Sequence, residues 1–200
     1  MTEPQRQRRI FCAVELPEDA RALVAAHIAR LREASPSSLK ITWERAEKLH
    51  LTLKFLGEQE SARVAALTRA AQRAAESVER FCVTMRETGA FPLSGNPRVI
   101  WFGLNDDTHR LARIHGQLET EAEGEGFPRE SRAFHPHITI ARIRIPNDAA
   151  RHVANLHREL KFVPVSFTVT QLVVMHSQLG AGGSRYTPLS THLLKTEDGV

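Results

Sequence analysis

The chain has 200 residues, 42% of them hydrophobic and 25% charged, which suits one soluble domain with a core built without disulfides. Its net charge of +4 favours a polyanionic partner without requiring one. Cys12 and Cys82 form no CxxC pair, which argues against cysteine zinc sites and thioredoxin chemistry; no run reaches the ~18 apolar residues of a membrane span, and Glu15 cuts the first apolar stretch too early for a signal peptide. A cytoplasmic protein with two buried thiols is therefore expected.

Residues 10–16 alternate as a strand. Pro17 opens a helix with Glu18 and Asp19 in its first turn and a stripe of Leu23, Val24, His27, Ile28 and Leu31, which makes His27 a core histidine rather than a ligand. Strands follow at 41–43 and 49–56, the second ended by Gly57. The spacing of Val64, Leu67, Ala71, Ala74 and Val78 predicts a helix over 58–80, with Arg63, Arg69 and Arg73 on a solvated face. Strands at 81–85 and 99–104 flank a Gly/Pro-rich segment. Asn105-Asp106-Asp107 caps a third helix ending at Gly124. A strand at 138–143 leads to a fourth helix from Asn147-Asp148. Val163, Val165, Phe167 and Val169 alternate with polar residues as a half-buried strand. The glycine-rich turn at 180–183 precedes a last strand at 186–194. Strands adjacent in sequence point to antiparallel pairing and an α+β fold.

One short pattern occurs twice. Residues 50–53 read His-Leu-Thr-Leu and residues 137–140 read His-Ile-Thr-Ile. With ten histidines and fourteen threonines, chance gives about 0.7 His-x-Thr triplets, and roughly 0.1 once apolar residues are required at the other two positions. On a strand, i and i+2 share a face. Each motif therefore presents an imidazole and a hydroxyl side by side, with the apolar pair turned to the core. Two such motifs meeting at a cleft supply a base, an acid and two hydrogen-bond donors, which is what in-line attack on a phosphodiester needs. Imidazole can be neutral in one copy and protonated in the other near neutral pH. A metal is not required, and His135-Pro136-His137 lacks a third ligand at a typical spacing.

These motifs resemble the 2H phosphoesterase superfamily, and within it the RNA 2′,3′-cyclic phosphodiesterase, or 2′-5′ RNA ligase, family. WERAEKLHLTLKFLGE and RAFHPHITIAR carry the motifs; RIFCAVELP, GAFPLSGNPRVIWFGL and SQLGAGGSRYTPL match the family's framework. The resemblance implies a single bilobal domain over 1–200, with two antiparallel sheets lining a central cleft and helices outside. It implies hydrolysis of RNA 2′,3′-cyclic phosphate ends to 2′-phosphomonoesters without cofactor or metal, and weak reverse 2′-5′ ligation. His50 would be the general acid and His137 the general base. Thr52 and Thr139 would hold the phosphate, Arg142 would add charge, and Tyr186 would flank the nucleotide. A monomer is expected, with no membrane partner.

Several assignments stay open from sequence alone. Arg142 lies five residues after His137, so strict alternation turns it away from the cleft unless the strand bends. Lys54 shares parity with His50 and Thr52 and is placed at the phosphate or in solvent. Phe11 belongs to the cleft or the core, while Arg132 and Phe134 anchor the loop before the second motif. The alternatives to an RNA-end phosphodiesterase are a 2H activity on small cyclic nucleotides and a non-catalytic RNA-binding module.

Overall fold

The computed structural model describes residues 7–180 and 183–196. The strands are β1 (Gln7–Glu15), β2 (Ile41–Trp43), β3 (His50–Glu60), β4 (Phe81–Phe91), β5 (Val99–Asn105), β6 (His137–Ile143), β7 (Val165–Val169), β8 (Gln171–Gly180) and β9 (Gly183–Leu193). The helices are α1 (Glu18–Glu33), α2 (Ser61–Glu76), α3 (Arg110–Gly124) and α4 (Asp148–Glu159). No helix among the described residues is long and apolar enough to cross a membrane.

The strands run in the order β7-β4-β5-β6-β3-β1-β8-β9, with β2 beside β6, and the pairings between them are antiparallel. The two expected sheets are thus joined into one. The seam between β3 and β6 is a single pair, Leu51 with Ile138. Helices α2 and α3 cover the half that carries β3, and α1 and α4 cover the half that carries β6. The main core lies between sheet and helices, with Ile10, Leu51, Leu67, Phe102, Ile114, Ile138 and Val153 almost fully buried.

Each helix has a local cause. Asn147 accepts from the Ala150 amide at the start of α4, a side-chain cap as expected. At α3 the helix begins later than the acidic run suggests, with His109 at φ 55° in the cap position. Asp106 instead reaches forward to the amides of Thr108 and Leu111. Arg69 and Arg73 of α2 are not merely solvated. They pair with Glu121 of α3 and with Glu125, the residue that caps its C-terminus, while Arg63 lies over the Phe127 ring at 4.1 Å.

Four expectations change. Gly57, at φ 68°, does not end β3; the strand passes through it to Glu60, so α2 starts at Ser61. Strand β8 occupies a stretch that periodicity leaves unassigned. Its run Leu172-Val173-Val174-Met175 is buried on both faces, so it shows no alternation to mark it. Leu23 is 50% exposed, off the buried stripe of α1. Cys12 is buried but Cys82 is exposed, because Phe81, Val83 and Met85 take the inner face of β4. In the glycine-rich turn, Gly180 pairs with Gly183, and positions 181–182 lie outside the described residues.

Candidate active site

The two histidines begin β3 and β6, immediately before the seam pair Leu51–Ile138. The strands run antiparallel there, so each histidine lies on the side of the other motif's threonine. Both imidazoles are held alike. His50 Nδ1 is 2.7 Å from the Lys48 carbonyl and His137 Nδ1 is 2.6 Å from the His135 carbonyl. A carbonyl only accepts, so each Nδ1 carries the proton and donates it. Nε2 is then the basic nitrogen of both rings. His50 Nε2 is 3.0 Å from Thr52 Oγ1, where the hydroxyl donates to the neutral ring.

Aromatic side chains frame each histidine. Phe11 lies 5.0 Å from His50 and Tyr186 lies 5.2 Å from it, ring centre to ring centre. Phe91 and Trp101 stand 5.2 and 6.2 Å from His137. Phe11 thereby belongs to the cleft face, in a small cluster with Ala13, Val173 and Met175 against Tyr186. Trp101 lies flat over Gly89 of the neighbouring strand, where an added Cβ would come within 2.2 Å of the indole. Only glycine fits beneath that ring.

A bulge sits at the last residue of each motif. In β3, Thr52 pairs with Ala13 and Lys54 with Cys12, so Leu53 is the extra residue. In β6, Thr139 pairs with Trp101 and Ala141 with Ile100, so Ile140 is the extra residue. An extra residue reverses the parity of the strand beyond it. Arg142 is therefore returned to the face of His137 and Thr139. It lies 3.6 Å from Glu44, and its charge acts on both histidines.

The same parity change moves Lys54 away from the face of His50 and Thr52. It is 5% exposed, and its Nζ donates to both Glu119 oxygens at 2.8 and 2.7 Å and to the Pro128 carbonyl. Glu119 also accepts from the Glu130 amide. Lys54 thus ties the strand of the first motif to the loop leading to the second. That loop is held further by Phe134 stacked on His115 at 4.1 Å, whereas Arg132 is exposed and its ion pair among the described residues is with Glu130 of the same loop.

Burial is the largest influence on both cleft histidines and lowers their pKa. The backbone carbonyls oppose it, while Arg142 lowers both further; His137 does so for His50 and His135 for His137. Each ring is biased to its neutral form until an anion arrives. Tyr186 is raised, first by burial and then by Glu44, and stays a neutral phenol. Among the described residues no three His, Cys, Asp or Glu side chains are grouped to hold a metal ion. Sequence reasoning missed Phe91, Trp101, Glu44 and Phe55 on this face. Their placement depends on register, which no local motif carries.

Residues 17–181 match the family model of the 2′-5′ RNA ligase superfamily. The chain is 31% identical to the RNA 2′,3′-cyclic phosphodiesterase of Escherichia coli over 94% of its own length and 96% of that protein. It is 33% identical to the enzyme of the same name from Aeropyrum pernix, over 81% and 92%. The crystal structure of E. coli LigT complexed with 3′-AMP superposes with a TM-score of 0.70 at 28% identity, covering 94% of this chain and 99% of that one. With the paired motifs at one seam and a family match over most of its length, the chain belongs to the 2′-5′ RNA ligase superfamily.

Proposed function

We propose that this chain hydrolyses RNA 2′,3′-cyclic phosphate ends to 2′-phosphomonoesters. The observation that carries the reading is the matched tethering of the two imidazoles, which fixes Nδ1 as the protonated nitrogen and leaves two basic Nε2 atoms at one seam. The relatives' name, RNA 2′,3′-cyclic phosphodiesterase, and the nucleotide complex of E. coli LigT agree with it.

A neutral His137 takes a proton from water at Nε2 as the water oxygen bonds to phosphorus. The P–O3′ bond breaks, and a protonated His50 gives its Nε2 proton to O3′. Exchange with solvent resets both rings. The two histidines need opposite charge states although both are biased neutral. The phosphate's negative charge raises the nearer ring's pKa on binding, so substrate itself loads the acid. Thr52 and Thr139 donate to the non-bridging oxygens, and Arg142 offsets their charge. Tyr186 flanks the nucleotide, beside a groove lined by Arg45, Lys48 and Arg185 together with Glu47. No step uses a metal ion. By microscopic reversibility the histidines exchange roles in 2′-5′ ligation, which is weak because water competes with the 5′-hydroxyl. The reaction is assigned to a monomer in the cytoplasm, with 1–200 acting as one bilobal domain.

The test is incubation with a 2′,3′-cyclic nucleotide, and with an RNA ending in cyclic phosphate, in the presence of chelator. A 2′-phosphate is expected. A 3′-phosphate would keep two-histidine chemistry but reverse the leaving oxygen, and no product from any cyclic phosphate would leave an RNA-binding module.

A further inference from the structure

The bulge that returns Arg142 to the cleft has a counterpart in β3, and the residue it returns there is Phe55. Phe55 pairs with Phe11 of β1 and so shares the face of His50, Thr52 and Tyr186. It is 49% exposed, whereas Phe11 is 3% exposed. A phenylalanine left half in water forgoes much of the ~2 kcal/mol that full burial would contribute. The Arg9 guanidinium lies over its ring at 4.8 Å. Arg9 stands two residues before Phe11 on the same face; Glu58 is its partner across the ladder, but among the described residues no carboxylate oxygen lies within ion-pair distance of it. An exposed aromatic ring beside a free planar cation is the combination that holds an unpaired base and its phosphate.

Position decides which base. Phe55 is four paired steps beyond His50, roughly 13 Å at strand spacing. The Phe11 ring, 5.0 Å from His50, and the Tyr186 ring, 5.2 Å from it, come before Phe55 on the way out from the histidine. The terminal base falls beside Tyr186. RNA extends from a cyclic-phosphate end only through its 5′ side, so the next base inward is the one available to Phe55. Resting on the function proposed above, we infer that Phe55 and Arg9 form a stacking site for the base of the penultimate nucleotide. The preferred substrate is then an RNA strand, and a cyclic mononucleotide leaves the site empty.

The test compares kcat/KM for adenosine 2′,3′-cyclic phosphate with that for a diadenosine dinucleotide ending in the same cyclic phosphate. Stacking contributes ~1–3 kcal/mol per base, or roughly 5- to 150-fold. The parent is expected to favour the dinucleotide by at least about tenfold. Phe55→Ala lowers that ratio about tenfold, Arg9→Ala lowers it less, and Phe55→Tyr preserves it. The ratio is unaffected by the folded fraction of a variant. A parental ratio near one, or Phe55→Ala slowing both substrates equally, would overturn the site while leaving the proposed function standing. Failure of the parent to turn over either substrate would overturn that function and the stacking site with it.

Discussion

The molecule holds two histidine pairs, one at the cleft and one beneath the sheet, and their protons are placed in opposite ways. At the cleft, Nδ1 of each ring donates to a carbonyl of its own chain segment, and Nε2 is left on the motif's own face, that of His50 beside the Thr52 hydroxyl. Beneath the sheet, His157 Nε2 donates to the Trp101 carbonyl at 3.0 Å, so its Nδ1 accepts from His27 Nε2 at 2.9 Å. There the two rings use each other, joining α1 to α4 and both to β5. His27 and His157 are 2% and 0% exposed. Burial lowers the pKa in both pairs, so a shifted histidine does not by itself mark a reactive one. What separates the pairs is where the second nitrogen points.

Alanine substitution separates them most sharply. His50→Ala or His137→Ala is expected to lower kcat/KM for a cyclic phosphate by ~10²–10⁴-fold while the melting temperature stays near the parent's. Parental rates in both variants would remove them from the chemistry. His157→Ala should do the reverse. It opens a cavity and strips a partner from the Trp101 carbonyl, at about 2–4 kcal/mol of stability, with turnover per folded molecule kept. Denaturant unfolding measures it, and an unchanged midpoint would refute a structural role.

The smaller effect is pH dependence. Burial holds His27 and His157 at about 4, below their ordinary 6.5. As pH falls below 6.5 the unfolded chain takes up protons that the folded chain refuses. Stability is therefore full above that value and declines between pH 6.5 and 4, by about 3 kcal/mol if the pair responds as one unit. In His27→Leu/His157→Leu the decline over that interval should be shallower. The same slope in parent and double variant would assign the acid sensitivity elsewhere.

Much of this arrangement can be read from the chain. The four helices, most strands and the shared face of His50 with Thr52 and of His137 with Thr139 follow from periods of 3.6 and 2. The stripe of α1 identifies His27 as a core residue, but nothing near it names His157, 130 residues away, as its partner. Strand β8 is hidden because a strand buried on both faces has no alternation. Strict alternation would put Lys54 in the cleft and turn Arg142 out of it, and it fails at both for one shared reason. A bulge is set by pairing with a neighbouring strand, Cys12 and Ala13 in one case and Ile100 and Trp101 in the other, and the strand's own letters do not announce it.

The two bulges also set how the length of these strands can vary. Each motif strand carries one extra residue at this point, β3 a second at Leu56, and from each histidine the cleft face takes positions 0, 2 and 5. Removing Leu53 or Ile140 straightens the strand yet keeps Lys54 or Ala141 inward and Phe55 or Arg142 outward. Adding one residue at the same place also leaves an even offset from the histidine, so once the strand alternates Lys54 or Ala141 still faces inward and Phe55 or Arg142 the cleft, but the new side chain itself enters the cleft. Insertion and deletion therefore differ in kind at these two points: both keep the faces beyond the bulge, and only an insertion adds a side chain to the site.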